Sequence, residues 1–159
     1  MTAEMRPAPA DAPSKGRLRL WLRILKVSRL VEAELRERLR AEFGSTLPRF
    51  DVMAALHRSE KGMKMSELSG VLKVSNGNVT GIVDRLVDEG MVERVAVEGD
   101  RRATRVRLTA AGRTRFETLA AAHEAWVDRL LGGLDRRETA EMTALLARIA
   151  HPDAVAEEI

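Results

Sequence analysis

One face of a predicted helix near the middle of the chain carries side chains suited to contact with DNA bases. On a helical wheel of about 100° per residue, the core side is apolar and consists of Val79, Ile82, Val83 and Leu86. The opposite side is polar and carries Gly77, Thr80, Gly81, Asp84 and Asp88, and it is flanked by Asn78 and Arg85. A helix that enters the major groove needs short side chains that donate and accept hydrogen bonds beside the base edges. The pattern therefore predicts a base-reading helix over residues 76–89.

The two glycines in this helix lower its stability, so some other interaction is expected to offset their cost. A Gly inside a helix costs about 1 kcal/mol relative to Ala, and this helix contains both Gly77 and Gly81. Close approach to a nucleic-acid surface is one explanation, and tight packing against another helix is the other. The sequence alone leaves both open.

A cluster of arginines follows in a predicted β-hairpin. Residues 91–97 and 104–108 alternate as strands do, and residues 98–103 are expected to form a charged loop between them. Arg101 and Arg102 lie at the tip of this loop, where a guanidinium gains from the negative potential of the DNA minor groove. The hairpin is therefore interpreted as a wing that contacts DNA.

An acidic residue, Asp100, stands beside the arginines of the predicted wing. We expect it to hold a guanidinium in place through a bidentate bond rather than to touch DNA. Arg105 and Arg107 point from one face of the second strand and suit phosphate contacts. A solvated, Arg-rich hairpin without any role in DNA binding would show the same pattern.

The residues before the base-reading helix complete a helix-turn-helix. A short helix begins at Ser66, which is a good N-cap. The chain then turns through Lys73, and Ser75 caps the base-reading helix that starts at Asn76. A capped short helix, a short turn and a second helix form this DNA-binding pattern. Ser66, Lys73, Ser75 and Asn76 are therefore included among the predicted DNA contacts.

Longer helices flank this region. They are predicted over residues 17–43, 48–58, 109–132 and 136–150, with Thr109 and Asp135 as the caps of the last two. In the helix from 109, apolar positions recur at steps of three and four: Phe116, Leu119, His123, Trp126 and Leu130. Such an a/d seam packs against another helix, either of a second copy or of the same chain. The fold class expected is mostly α with a small β-hairpin (α+β), with a disordered tail over 1–16 and a frayed C-terminus over 151–159.

The composition excludes several classes of site. The 159 residues contain no Cys, so disulfides, thiolate zinc sites and thiol-based redox sensing are excluded. The three His, at positions 57, 123 and 151, show no metal-ligand spacing, so no metal and no cofactor are expected. The N-terminus lacks the apolar segment of a secretory signal, and no run approaches the ~18 apolar residues of a membrane span. A cytoplasmic protein without a membrane partner is expected.

An enzyme is not expected either. The chain has no Gly-x-Ser-x-Gly elbow, phosphate loop, His-Glu-x-x-His motif or Cys nucleophile. Its carboxylates are spread over helix surfaces and paired with arginines. The net charge is only +3, so the argument for a nucleic-acid partner depends on where the basic residues lie rather than on their excess.

Several segments together resemble the MarR family of bacterial transcriptional regulators. They are Met65–Leu68, Val74–Leu86, Glu89–Arg94, Gly99–Thr104 and Val106–Thr109, followed by Gly112. The Asp-x-Arg pattern of the wing, followed by Leu-Thr, is fairly specific to that family. The order of the elements also matches, so the resemblance covers about residues 17–150.

This resemblance implies a homodimer that binds a pseudo-palindromic operator in double-stranded DNA and acts as a repressor. It divides the chain into a winged helix-turn-helix lobe over residues 48–108 and a helical dimerisation region over 17–47 and 109–150. It gives Asp100 the orienting role and places Arg102, or Arg101, in the minor groove.

The resemblance also implies a small-molecule effector that releases the DNA. The closest match is a subgroup that controls aromatic-acid catabolism and responds to thioesters such as hydroxycinnamoyl-CoA, so the effector expected is an aromatic carboxylate or an aroyl-CoA thioester. The candidate pocket consists of apolar or aromatic side chains and of cations suited to phosphates: Trp21, Phe50, Met53 and His57 with Arg19, Arg23 and Arg49. Apolar residues at helical spacing also fit a plain core. The alternative function is a winged-helix module that binds proteins and has no ligand.

Overall fold

The computed structural model describes residues 13–72 and 76–151, apart from the side-chain surroundings of residues 76, 77 and 101. Within these ranges the chain forms six α-helices and three β-strands. They are α1 (Pro13–Phe43), α2 (Leu47–His57), β1 (Met63–Lys64), α3 (Met65–Leu72), α4 (Asn76–Asp88), β2 (Val92–Val97), β3 (Asp100–Leu108), α5 (Ala110–Leu130) and α6 (Arg136–Ala150). The predicted fold class, mostly helical with a small antiparallel sheet, is confirmed.

Two compact units make up the chain, residues 1–119 and residues 120–159. At the start of the first unit, α1 begins at Pro13, so the last part of the predicted tail, residues 13–16, is helical. Pro is compatible with the first turn of a helix, because the backbone N–H it lacks has no partner there. Residues 1–12 and 152–159, which hold the rest of the predicted tail and C-terminus, lie outside the described residues.

The sheet has three strands in the order β1-β3-β2, one more than the predicted hairpin. In β1, Met63 pairs with Val106 and Lys64 with Arg105, and a strand of two residues shows no alternation in the sequence. Gly62 precedes β1 with a φ of 81°. A Cβ on Gly62 would lie 2.6 Å from the Val106 carbonyl oxygen, so the close approach to β3 requires glycine.

The hairpin of β2 and β3, which we call the wing, has a tighter turn than predicted. The strands are joined by the two-residue turn Glu98–Gly99 rather than by a loop over 98–103. Gly99 supplies a φ of 84°, as such turns require. The pairing jumps from Asp100 to Thr104 on β3 between two adjacent residues of β2. Residues 101–103 therefore bulge out of β3, and both predicted tip arginines belong to this bulge.

The core of the first unit lies where α2, α3, α4 and the sheet meet. The predicted core side of α4 is confirmed at Val79, Val83 and Leu86, which are fully buried, whereas Ile82 is partly exposed. Apolar side chains from the other elements close the core: Val52, Met53 and Leu56 of α2, Leu68 of α3, Val92 of β2 and Val106 of β3. The apolar side of α4 thus faces inward and its polar side faces outward.

Backbone and hydroxyl contacts join the start of α5 to the segment that follows α4. Thr109 caps α5 as predicted, because its Oγ1 accepts from the Gly112 N–H at 3.0 Å. The same hydroxyl donates to the Gly90 carbonyl at 2.6 Å, and the Thr109 N–H donates to the Met91 carbonyl at 3.0 Å. A Cβ on Gly112 would lie 1.9 Å from that carbonyl oxygen. The joint therefore requires glycine at this position.

Part of the predicted seam on α5 is used within the chain. Phe116, Leu119 and Trp126 are 8%, 1% and 2% exposed. The Phe116 ring lies 5.5 Å from the ring of Phe50, so this end of α5 packs on α2 of the same chain. These seam positions do not present an open face to a second copy.

In the second unit, α6 is exposed along its whole length. It begins, as predicted, at Asp135, whose carboxylate accepts from the Glu138 N–H at 2.8 Å while Glu138 accepts from the Asp135 N–H at 2.9 Å. Its apolar face comprises Met142, Leu145, Leu146 and Ile149, which are 44–62% exposed. An isolated helix of about 15 residues is marginal in water. The apolar face of α6 therefore needs a covering partner.

Candidate nucleic-acid interface

The polar face of α4 is exposed, as the sequence predicts. Asn78, Thr80, Gly81 and Arg85 all lie on the outward side of this helix. A Cβ built on Gly81 meets no atom of the described chain within 4 Å. Packing against another helix of this chain therefore does not explain Gly81, and close approach to an outside surface remains.

The predicted cap of the short helix is wrong. α3 begins at Met65, so the exposed Ser66 lies inside its first turn rather than before it. The residue that bonds back across the start of α3 is Glu67, whose Oε2 accepts from the Lys64 N–H at 2.8 Å. Ser66 is thus outward-facing but has no capping role. Four other predicted contacts fall outside the described residues, wholly or in their side-chain surroundings: Lys73, Ser75, Asn76 and Gly77.

Asp100 fixes the wing in a different way from the one expected. Its Oδ1 accepts from the backbone N–H of Arg102 at 3.0 Å, whereas the sequence suggested a bond to a guanidinium. The carboxylate thus holds the backbone of the bulge and thereby sets where the exposed Arg102 leaves the strand. The side chain of Arg101 lies outside the described part of the wing.

The two strand arginines are already paired within the chain. Arg105 donates from one guanidinium nitrogen to the Gly62 carbonyl at 3.0 Å, and that nitrogen lies 3.6 Å from the Glu67 carboxylate. Arg107 donates from Nε to Glu93 at 2.7 Å, across the wing. Arg105 therefore fastens the start of β1 to β3, and any phosphate contact has to share its guanidinium with these partners.

Ion pairs also join α4 to its neighbours, and sequence reasoning missed them. Arg94 of β2 donates to Asp84 of α4 at 2.6 Å. Arg49 of α2 donates through both terminal nitrogens to the two carboxylate oxygens of Glu89, directly after α4. These hydrogen bonds hold the pKa of Glu89 below its ordinary value and raise the pKa of Arg49.

The predicted ligand residues fall into an exposed group and a buried group. Arg19, Trp21 and Arg23 lie on the exposed N-terminal half of α1, where Trp21 is 55% exposed. Phe50 and Met53 are buried. His57 is partly buried, with its ring 4.8 Å from that of Phe116 and its Nε2 3.5 Å from Glu117. The buried group thus serves the core of the first unit, as the plainer interpretation held.

A small cleft lies between α2, α3 and α4. It has a volume of about 100 Å³ and is lined by Pro48, Asp51, Val52, Leu72, Asn78, Val79 and Ile82. Pockets for small molecules and cofactors usually measure about 300–1,000 Å³, so this cleft is too small for an aroyl-CoA thioester. Its lining contains none of the predicted ligand residues.

Neither a metal centre nor a membrane-spanning helix is found among the described residues. No group of three or more His, Asp or Glu in them is placed to hold a metal ion. None of the helices they form is long and apolar enough to cross a membrane.

Known proteins share this sequence pattern. The model of the MarR family matches residues 45–104. The transcriptional activatory protein BadR from Rhodopseudomonas palustris is 30% identical over 143 residues, which are 88% of this chain and 81% of BadR. The HTH-type transcriptional regulator PecS from Dickeya dadantii is 26% identical over 126 residues, 78% of this chain and 75% of PecS.

Solved structures share the fold. A MarR family transcriptional regulator from Silicibacter pomeroyi is 36% identical, with a TM-score of 0.75 over 90% of this chain and 99% of that one. A mutant MarR from E. coli, crystallised in complex with operator DNA, is 29% identical, with a TM-score of 0.69 over 84% of this chain and 91% of that one.

Proposed function

The chain belongs to the MarR family of transcriptional regulators, and from this premise we propose that it binds an operator in double-stranded DNA as a homodimer and releases it when an effector binds. The observation that carries the proposal is the exposed polar face of α4, which lies opposite an apolar side whose Val79, Val83 and Leu86 are fully buried. As a regulator it is not an enzyme, and its DNA target implies a cytoplasmic location.

Base recognition is assigned to α4 in the major groove. Asn78 can bond an adenine edge by accepting through its amide oxygen and donating through its amide nitrogen, and Arg85 can bond guanine or a phosphate. Arg102 on the bulge is assigned to the minor groove, with Arg101 as its neighbour. The DNA backbone would be contacted by Ser66 and by the residues predicted around the turn, Lys73, Ser75, Asn76 and Gly77. The related E. coli protein was crystallised with operator DNA, which supports DNA binding by this chain; the residue assignments are proposed from the sequence and the exposed face of α4.

The homodimer is proposed from the uncovered apolar surfaces. α6 exposes its whole apolar face, and the N-terminal half of α1 exposes Leu18, Trp21 and Leu22 at more than half of their areas. Exposed apolar surface of this kind on each of the two units indicates an interface. A second copy related by twofold symmetry covers such a surface on both chains and presents two base-reading helices to a pseudo-palindromic operator.

The effector is proposed to be an aromatic carboxylate or its CoA thioester, on the strength of the resemblance alone. Trp21, between Arg19 and Arg23 on exposed helix, is the part of the predicted pocket most open to such a ligand. Phe50, Met53 and His57 could contribute only as the floor of a site. Repression is proposed as the mode of control. Because the related BadR is named an activatory protein, a reporter assay has to detect both a decrease and an increase in transcription.

A salt series tests the DNA-binding proposal directly. A duplex selected from a random library by the wild-type protein should bind tightly at low salt. The logarithm of affinity should then fall linearly with the logarithm of salt concentration, because phosphate contacts release counterions. A flat response, or a failure to enrich any duplex, favours the protein-only module. For the effector, a thermal-shift comparison of aromatic acids with their CoA thioesters is decisive, since stabilisation by the free acids alone rejects the thioester.

A further inference from the structure

Glu89 is an acidic residue at the end of the base-reading helix, where its charge opposes an approach to phosphate. We propose that the Arg49–Glu89 ion pair positions α4 for specific operator recognition by tying its C-terminal end to α2. This inference rests on the proposed DNA-binding function and adds a positioning pair to it. Neither residue is assigned to touch DNA.

The geometry of the pair is that of a rigid link. Both terminal nitrogens of Arg49 donate to Glu89, with the Nη1–Oε1 distance at 2.8 Å. Two parallel bonds between planar groups fix orientation as well as distance. The side chain of Arg49 is only 23% exposed, and its Nε is buried without a hydrogen-bond partner among the described residues. The guanidinium is therefore largely shielded from water, with both of its terminal nitrogens donating to Glu89.

Each end of the link is anchored in fixed backbone. On α2, the Thr46 hydroxyl accepts from the Arg49 N–H, and the next residue, Phe50, is buried. After α4, the Glu89 N–H donates to the Arg85 carbonyl at 3.0 Å. Gly90 follows with a φ of 72° and ends the helix. A pair that joins two such points, 40 residues apart in the chain, limits rotation of one helix relative to the other.

The opposite end of α4 shows why such a link is needed. The cleft of about 100 Å³ separates Pro48 and Val52 of α2 from Asn78 and Val79 of α4. Val52 and Val79 are fully buried here, but apolar contact is non-directional, so it restrains the tilt of α4 less strictly than a bidentate ion pair does. Asn78 lines this cleft and also belongs to the face assigned to base contacts. A tilt of α4 would therefore displace that base-reading side chain.

The inference predicts a change in DNA affinity opposite to the one expected from charge alone. Removing a negative charge close to DNA normally strengthens binding, because repulsion of the phosphates decreases. If the pair positions α4, neutralising Glu89 should instead weaken binding to the operator. Glu93 provides a matched control, because its carboxylate is paired with Arg107 across the wing and backbone bonds already hold those two strands together.

The test measures the affinity of wild type, Glu89→Gln, Glu89→Asp and Glu93→Gln for the library-selected duplex and for a scrambled duplex. We expect Glu89→Gln and the charge-conserving Glu89→Asp to bind the selected duplex about three- to tenfold more weakly, which corresponds to the net contribution of one ordinary hydrogen bond. Their affinity for the scrambled duplex should equal that of wild type or be slightly higher. The dependence of their affinity on salt concentration should be as in wild type. Glu93→Gln should keep or increase both affinities.

A double-mutant cycle with Arg49→Gln separates positioning from other roles. The double variant should bind the selected duplex about as weakly as Glu89→Gln alone, because both changes remove the same link. Additive losses, or Glu89 variants that bind the selected duplex as tightly as wild type, overturn the inference. A wild type that does not distinguish the two duplexes overturns the proposed function itself. Thermal melts of every variant check that each remains folded, and Glu89→Asp keeps the test valid if Glu89→Gln does not fold.

Discussion

Replacing Gly81 with Ala distinguishes the two explanations for a glycine inside the base-reading helix. A Cβ at this position meets no atom of the described chain within 4 Å, so nothing in the chain opposes the substitution. Ala is the better helix former by about 1 kcal/mol. Gly81→Ala should therefore raise the free energy of unfolding by up to this amount.

The same methyl group should weaken DNA binding. If α4 lies in the major groove with Gly81 toward the duplex, the added methyl enters a closely packed interface, where an extra group of this size costs about 1–3 kcal/mol. Each 1.4 kcal/mol is a tenfold loss of affinity. The variant is thus expected to be more stable and yet a poorer DNA binder, a combination that general damage to the fold cannot produce.

Urea unfolding and fluorescence anisotropy with a labelled duplex measure the two quantities on the same preparations. Gly70→Ala is the matched control, since Gly70 is also exposed, helical and without a neighbour within 4 Å of a built Cβ. It should gain stability and keep its DNA affinity. If Gly81→Ala binds DNA as well as wild type does, the glycine is not there for the duplex and the assigned face of α4 is wrong.

Three further substitutions test other parts of the structure. Arg102→Ala should cost about 1–3 kcal/mol of operator affinity by anisotropy, and an unchanged affinity would move the minor-groove role to Arg101 or remove it. Leu145→Glu should raise the dimer dissociation constant at least about tenfold in sedimentation, since burying its exposed half gains about 1 kcal/mol per copy. Ala144→Glu, on the opposite face of α6, should not. Gly112→Ala should lower the free energy of unfolding by about 1–3 kcal/mol, because its Cβ meets the Met91 carbonyl; unchanged urea unfolding would refute that contact.

The sequence predicted the helices and the orientation of α4 because those features depend on local pattern. Val79, Val83 and Leu86 recur at helical spacing, and their complete burial fixes the opposite face as the exposed one. The capping box at Asp135 is equally local. Such features depend on residues three or four positions apart, so they can be recognised in a single sequence.

Features that depend on distant residues could not be predicted in this way. Arg49 and Glu89 are 40 residues apart, and no local signal assigns one to the other. The strand β1 exists only because β3 passes beside it. Phe50 and Met53 show why the pocket prediction was ambiguous, since a core position and a ligand-lining position have the same apolar type and the same spacing.

The joint at the start of α5 has a mechanical consequence. Met91 receives the Thr109 N–H, and Gly112 leaves no room for a methyl group between that helix and the Met91 backbone. These contacts hold the first turn of α5 rigidly against Gly90 and Met91, the residues directly before β2. We therefore expect a displacement of the first turn of α5 to move the root of the wing as well, and with it the arginine-bearing bulge at the far end of the strands.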